Sequence, residues 1–447
     1  MPRGRVVSSA RRAAFEVLRW VEEREGEPAS LLASPRYREL SPVDRDLAME
    51  IVFGVLRFRG SLDWILTGHA SRPLSELDPT VLLALRIGLY QIRHLDRVPE
   101  RAAVDESVRL AETFGAARGK GLVNAVLRSV LRRPGVAPFP LKEEDPVGYL
   151  ASTLSHPRWL AERYHRRLGL ERAEQRCLAQ NRTPPIHLRV SHRIELERAR
   201  ENLLGEGVAT EIVSAAPRCL RVISGRPHES SLLQEGLIFP QDAGSQLVPL
   251  LLDIRKSDRV LDVCAAPGGK TTAMSELAPD GSVIAIDRRP RRVRLLREIS
   301  VRLKAENIRV AVADGRSLPF DTPFARILLD VPCSSLGTLR RNPDVKWRVQ
   351  DSDLDSLAAL QLELLRSSSR LLADEGRLLY ATCSTEPEEN ERVIERFLSG
   401  SPGFRRLGAA PSLPEPARHL ADEDGYFRTS PERDDMDGYF AAVLIRC

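Results

Sequence analysis

Val260-Leu-Asp-Val-Cys-Ala-Ala-Pro-Gly-Gly-Lys-Thr-Thr272 opens on a short apolar run ending in Asp262, breaks at Ala-Pro-Gly-Gly, and continues in residues that suit a helix. Such a sequence predicts a buried strand that turns tightly into a helix. At a turn of this kind glycine lets the backbone approach a ligand closely, and the first helical N–H groups point at it. The stretch is therefore a candidate ligand loop, and the residues around it decide which ligand.

From about Glu235 strands and helices alternate. Strands are expected at 258–263, 282–287, 308–312, 325–330 and 376–381, with helices near 243–252, 270–278, 289–304, 354–373 and 387–399. A last apolar run, Tyr439-Phe-Ala-Ala-Val-Leu-Ile445, would close the sheet. This alternation predicts an α/β Rossmann-like domain with a mostly parallel sheet, whose ligands bind outside the carboxyl ends of the strands. Two ligand loops fit. Gly269-Lys270-Thr271 copies the end of the phosphate-binding pattern G-x-x-x-x-G-K-[ST], but Cys264 stands where its first glycine belongs. In the other, Cys264, Ala265, Ala266, Pro267, Gly268, Gly269 and Lys270 wrap the amino-acid end of S-adenosylmethionine (AdoMet). Asp287 then ends the second strand, where an acid accepts from ribose hydroxyls, and Asp314 follows the third, near an adenine amino group. A phosphate-binding loop has no use for Asp287, so AdoMet is the expected cofactor.

Upstream, helical spacing recurs from Arg5 to Arg133, as in Ala14/Leu18/Val21, Leu47/Ile51/Val55 and Val81/Leu85/Leu89/Ile92. Ser41-Pro42 and Asp78-Pro79 read as N-caps followed by proline in the first turn. Six or seven helices in an all-α bundle are expected. Residues 134–145 have linker composition, and a small α+β connector should follow, with helices near 157–168, 171–180 and 194–204 and strands near 186–190, 209–213 and 219–223. The expected domains are thus 1–135, a linker and connector at 136–238, and 239–447.

With 42% hydrophobic and 29% charged residues, no apolar run near 18 residues and no apolar core in Met1-Pro-Arg-Gly-Arg-Val, membrane and secreted classes are disfavoured, and a cytoplasmic location is expected. Six cysteines without a C-x-x-C pair argue against a zinc site or a disulfide framework, and no metal is expected. Residues 1–135 hold 22 basic against 17 acidic residues, a surplus compatible with RNA phosphate.

Two thiols stand apart from the others. Leu329-Asp-Val-Pro-Cys-Ser-Ser335 and Leu379-Tyr-Ala-Thr-Cys-Ser-Thr385 place Cys333 and Cys383 just past the ends of neighbouring strands, with Asp330 three residues before the first. Cys177, Cys219 and Cys447 are expected to be structural. Arg340-Arg341 and Lys346-Trp347, soon after the Asp330 loop, are candidates for phosphate contact and base stacking; the alternative is a surface loop with Trp347 packed in the core.

Asp330-Val-Pro-Cys333 and Thr382-Cys383, with Ala266-Pro-Gly-Gly-Lys270 upstream, resemble the motifs of RNA (cytosine-5) methyltransferases that use two cysteines. Arg118-Gly-Lys-Gly-Leu-Val-Asn-Ala-Val-Leu-Arg128 resembles the segment before the last helix of NusB-like RNA-binding domains. The order of NusB-like bundle, connector and methyltransferase domain is similar to bacterial 16S rRNA (cytosine-C5)-methyltransferases of the Sun/RsmB type. Supporting stretches are Phe239–Ser245, Arg340–Trp347, Ser384–Asn390 and Asp437-Gly-Tyr-Phe440; Tyr439 replaces the commoner Phe, and Lys120 interrupts a segment usually less charged. The likeness covers nearly the whole chain. It implies 5-methylcytosine formation in 16S rRNA, on a cytosine that is single-stranded or flipped out. Carbon 5 of cytosine is too poor a nucleophile to attack a methyl sulfonium, so a thiolate must first add to carbon 6. The resemblance gives that role to Cys383, an acid role at ring N3 to Asp330, and proton removal or release to Cys333; Lys270 would lower a cysteine pKa. Alternatives are the same chemistry on tRNA, or a non-catalytic NusB-like ribosome-assembly factor, which would be expected to have lost Cys383, Cys333 or Asp330.

Overall fold

The computed structural model describes residues 7–24 and 26–447; Arg5, where the helical pattern was expected to begin, lies outside them. The chain forms two units, one running through Arg182 and taking in Leu339–Asp351, the other made of Thr183–Thr338 and Ser352–Cys447.

In the first unit six helices, Ser9–Glu22, Pro28–Leu32, Pro42–His69, Pro79–His94, Glu100–Thr113 and Lys120–Arg132, bury one apolar cluster built on Phe15, Leu18, Ile51, Leu62, Leu85 and Leu127. Their starts follow local chemistry. Ser41 Oγ accepts the Asp44 N–H at 3.1 Å and Asp78 Oδ1 accepts that of Thr80 at 2.8 Å, while Pro42 and Pro79 occupy positions where no N–H is needed. Helices Arg158–Leu168 and Leu170–Gln180 belong to this unit, so the stretch 136–238 is shared between the two.

Leu339–Asp351 corrects an expectation. Arg340 and Lys346 are 1% and 0% exposed, so neither reaches a phosphate from the surface. Lys346 Nζ donates to the carbonyls of Ser155 (3.2 Å) and Arg57 (3.4 Å) and to Asn181 Oδ1 (2.6 Å). Burial pushes its pKa down to about 7. Arg57 donates in turn to the Arg340 carbonyl at 3.0 Å. Trp347 packs against the bundle core, its Nε1 donates to the Leu56 carbonyl at 2.6 Å, and the Arg59 guanidinium lies 5.3 Å from its ring, which leaves it poorly placed to stack on a base. Arg341 is half-buried. The Ser155 and Arg57 carbonyls and the Asn181 side chain, brought together by the fold, form a cage for a cation, which composition alone does not reveal.

The second unit holds twelve strands: β1 His187–Val190, β2 Ala209–Ile212, β3 Cys219–Ser224, β4 Ile238–Pro240, β5 Arg259–Val263, β6 Ser282–Asp287, β7 Ile308–Val312, β8 Phe324–Asp330, β9 Leu372–Thr382, β10 Phe404–Leu407, β11 Phe427–Arg428 and β12 Phe440–Arg446. The first four form an antiparallel sheet in the order β2-β3-β1-β4. The others run β10-β12-β9-β8-β5-β6-β7, with β11 on β12. β9, β8, β5, β6 and β7 are parallel, and β12 lies antiparallel between β9 and β10. Side chains alternate between two cores, Leu261, Val263, Ile327, Leu329 and Leu378 on one face and Val260, Val283, Leu328 and Leu379 on the other. The strand order reverses between β5 and β8, and at such a switch point a crevice opens outside the strand ends. Among the described residues no helix is long and apolar enough to cross a membrane.

Candidate active site

After β5 the chain turns through Cys264 (φ +67°) and Gly268 (φ +113°) into the helix Gly269–Leu277. A Cβ on Gly268 would lie 2.3 Å from Leu296 Cδ1, the end of a side chain that would have to shift, and the positive φ itself calls for glycine there. Beneath the loop Thr271 Oγ1 donates to Asp262 Oδ2 at 2.6 Å, whereas Asp262 Oδ1 is buried without a protein partner. Burial pushes the Asp262 carboxyl up to about 7. An orphaned acceptor under a glycine loop suits a cationic ligand group, and the ammonium of AdoMet is one. Arg189 of β1 holds the same helix start, donating to the Gly269 carbonyl, to Thr272 Oγ1 at 2.7 Å and to Gln241 Oε1 at 3.0 Å.

Asp287 ends β6 and is 5% exposed; its Oδ1 accepts the Arg289 N–H at 2.9 Å and its Oδ2 faces Arg292 at 3.5 Å. Asp314, past β7, is paired with Arg316 at 2.7 Å, whose hydrogen bonds pull the carboxyl down to about 2. Asp330 ends β8, and Lys270 Nζ donates to its Oδ2 at 2.8 Å. Burial disfavours the Lys270 ammonium, but the charge and hydrogen bond of Asp330 outweigh it and the lysine pKa is raised. The Tyr439 ring lies 5.3 Å from the same Nζ.

β8 and β9 are paired at Asp330 and Ala381, so the two loops that follow leave the sheet side by side. Cys333 Sγ and Cys383 Sγ are 3.4 Å apart, both partly exposed, and Ser335 Oγ is 3.5 Å from Cys383 Sγ. Their pKa values are driven apart. The hydrogen bond from Cys333 pulls Cys383 below the ordinary thiol range against the opposing effect of burial, whereas that same bond, together with burial, lifts Cys333 well above it. The opposed directions make Cys383 the more acidic thiol of the pair.

The spacing is held by Glu389, which the sequence reading did not single out. Fully buried, it accepts from Ser334 N–H (2.8 Å), Ser334 Oγ (2.5 Å), Ser384 Oγ (2.5 Å) and Gln361 Nε2 (3.0 Å). Ser334 and Ser384 each follow one of the two cysteines, so one carboxylate clasps both loops. Burial raises its pKa against these hydrogen bonds. Asn390 accepts from Thr382 Oγ1 at 2.6 Å and donates to the Ser384 carbonyl at 3.0 Å. Gly337 N–H donates to the Cys383 carbonyl at 2.9 Å, and a Cβ at Gly337 would collide with the Gly438 carbonyl at 2.0 Å. The Ser-Ser correspondence after Cys333 and Cys383 was the available signal.

A mostly parallel sheet with a glycine loop at its switch point, an acid ending the next strand, and a thiol pair beside them define an AdoMet-dependent methyltransferase with a Rossmann-like fold. The family model for 16S rRNA methyltransferase RsmB/F matches residues 249–445, the NusB family matches 8–132, and the RsmF/B-like ferredoxin-like domain matches 156–229. The chain is 35% identical over 98% of its length to a Bacillus subtilis protein named probable ribosomal RNA small subunit methyltransferase B, covering 98% of that protein. It is 37% identical to ribosomal RNA small subunit methyltransferase B of Pseudomonas putida, over 90% of this chain and 91% of that one. The crystal structure of PH0851 superposes with a TM-score of 0.82 at 26% identity, covering 98% of both chains. A methyltransferase homolog protein from Pyrococcus horikoshii gives 0.58 at 28% identity, over 67% of this chain and 98% of that one. The chain belongs to the RsmB/F family of 16S rRNA methyltransferases. It is an AdoMet-dependent enzyme that methylates carbon 5 of cytosine in ribosomal RNA.

Proposed function

We propose that Cys383 is the nucleophile, that Cys333 removes the carbon 5 proton, and that the target cytosine enters single-stranded or flipped out. The observation that carries this reading is the 3.4 Å thiol pair with opposed pKa shifts. The Cys383 thiolate adds to ring carbon 6 as Asp330, in its protonated form, donates a proton to N3; Lys270 Nζ, 2.8 Å from Asp330 Oδ2, stabilises the carboxylate that results, and the proton returns from N3 to Asp330 once carbon 5 has taken the methyl group. Bound AdoMet supplies the methyl group, activated as a sulfonium, to carbon 5. Once Cys383 has become a neutral thioether, the hydrogen bond and the charge that held the Cys333 pKa up are gone. Cys333 then deprotonates more readily, takes the carbon 5 proton, and the Cys383–carbon 6 bond breaks to release 5-methylcytosine.

In this reading Cys264, Ala265, Ala266, Pro267, Gly268, Gly269 and Lys270 hold the amino-acid end of AdoMet, with Asp262 Oδ1 as the acceptor for its ammonium. Asp287 and Asp314 take the ribose and adenine ends, and Asp330 borders the reactive end. The regions 1–135, 136–238 and 239–447 serve as RNA-binding bundle, connector and catalytic domain in the cytoplasm. Retention of Cys383, Cys333 and Asp330 argues against a non-catalytic assembly factor.

The test is nucleoside mass spectrometry on unmodified 16S rRNA and tRNA incubated with protein and AdoMet. We expect 5-methylcytosine in 16S rRNA only, none with Cys383→Ala, and a denaturant-resistant protein–RNA adduct with Cys333→Ala. An adduct from Cys383→Ala and free RNA from Cys333→Ala would reverse the assignment, and product in tRNA alone would move the substrate.

A further inference from the structure

Residues 288–304, which follow Asp287, read Arg-Arg-Pro-Arg-Arg-Val-Arg-Leu-Leu-Arg-Glu-Ile-Ser-Val-Arg-Leu-Lys. They hold eight basic residues and one acidic, a net +7, whereas the whole chain carries +5, so the other 430 residues sum to −2. The helix Pro290–Arg302 buries Val293, Leu296 and Ser300, spaced so that one face meets the sheet unit. Every arginine of the segment is exposed. Arg291, Arg294 and Arg302 recur at helical spacing on the outward side, with Arg297 flanking them. Among the described residues Arg291, Arg294 and Arg297 form no ion pair, so their charge is uncompensated by the fold.

The position of the stripe matters as much as its charge. The helix begins at the carboxyl end of β6, the edge that carries the thiols, and in the order β9-β8-β5-β6 it starts two strands from Asp330 and three from Cys383. At about 4.8 Å per strand those offsets are roughly 10 and 14 Å. Arg292 ties the first turn to the glycine loop, donating to the Ala266 carbonyl at 2.7 Å, so the stripe is registered to the site. A helix of 13 residues extends it by about 20 Å.

We propose that the outward face of residues 288–304 is a binding track for the RNA phosphate backbone flanking the target cytosine. The inference rests on the RNA-modifying role proposed above. Guanidinium groups at this density match phosphates, and such contacts position the strand while leaving the choice of base to the site.

The test compares the full-length wild type with R291Q/R294Q/R297Q, which leaves Arg292 in place. Binding of unmodified 16S rRNA is measured without AdoMet between 50 and 200 mM KCl. Three lost phosphate contacts should flatten the log–log salt slope by about 2.1–2.7, so that over this fourfold range the wild type loses roughly twenty- to fortyfold more affinity than the variant. Replacement of the same three residues by Lys should restore most of the slope, and kcat at saturating RNA should be unchanged in both variants. An unaltered slope and affinity in the Gln variant would overturn the proposal. So would loss of poly-glutamate binding by that variant with RNA binding intact, which would mark a site for an acidic protein. The binding readout requires no turnover, so it rules on the track even where methylation fails, and methylation by the wild type tests the proposed function separately.

Discussion

Replacing Glu389 by Gln keeps the shape of the clasp between the two cysteine loops and removes its charge. In the wild type one carboxylate accepts four hydrogen bonds, two of them from the hydroxyls of Ser334 and Ser384 on the same oxygen. A carboxamide keeps one acceptor oxygen, for Ser334 N–H and Gln361, and must donate to the two hydroxyls instead. All four bonds then change from charge-assisted to neutral, about 1 kcal/mol apiece, and the relief of no longer burying a charge offsets about half of that, which leaves a net loss of about 2 kcal/mol. For a unit of this size that is about 4–8 °C in midpoint. Glu389→Ala, which leaves all four donors unsatisfied, should cost about 3–5 kcal/mol. If the clasp slackens the 3.4 Å thiol spacing by about 1 Å, turnover should fall on the order of a hundredfold. Single-turnover methylation and thermal melting, with the AdoMet dissociation constant as control, measure the three effects. A Gln variant that melts and turns over as the wild type does would refute the view that Glu389 sets the thiol geometry.

Asp262, raised to about 7 by burial, binds a proton in the folded state at pH values where the unfolded chain has lost it. Its stabilising contribution is therefore full below about pH 4 and is lost as pH rises to about 7, a few kcal/mol that Asp262→Asn should abolish in urea titrations of the ligand-free protein. Lys346 has the opposite sign: its folded pKa is depressed to about 7, so the unfolded chain binds the extra proton between about pH 7 and 10 and stability rises across that window. Lys346→Met should flatten that rise in the melting of the first unit. Gly268→Ala, at φ +113° and facing Leu296, should weaken AdoMet binding at least about tenfold by calorimetry while leaving RNA binding intact.

Features set by neighbours in sequence were legible. Ser41 and Asp78 cap the helices that their Pro partners begin, and β5 to β9 and β12 fall where apolar runs place them, because strand and cap signals are local. The positions of Cys333 and Cys383 past adjacent strand ends followed from the same runs. What escaped depends on residues far apart in the chain. Glu389 meets Ser334 across 55 positions, Arg189 meets Thr272 across 83, and Lys346 meets Arg57 across 289. A buried Lys346 looks like a surface cation until the oxygens around it are known. Asp314 falls past β7 as the strand pattern predicts, whereas its pairing with Arg316 two residues on depends on side-chain conformation that spacing does not encode.

Because Leu339–Asp351 is built into the first unit, that unit is not encoded by one continuous stretch of message. The ribosome releases the helices up to Arg182, yet the piece that fills the cage of Arg57, Ser155 and Asn181 with Lys346 emerges about 170 residues later. At 5–20 residues per second the interval is roughly 10–30 s. Until then the bundle lacks the lysine to which Arg57, Ser155 and Asn181 supply acceptors, so its completion is timed by synthesis of the catalytic sheet as far as β8.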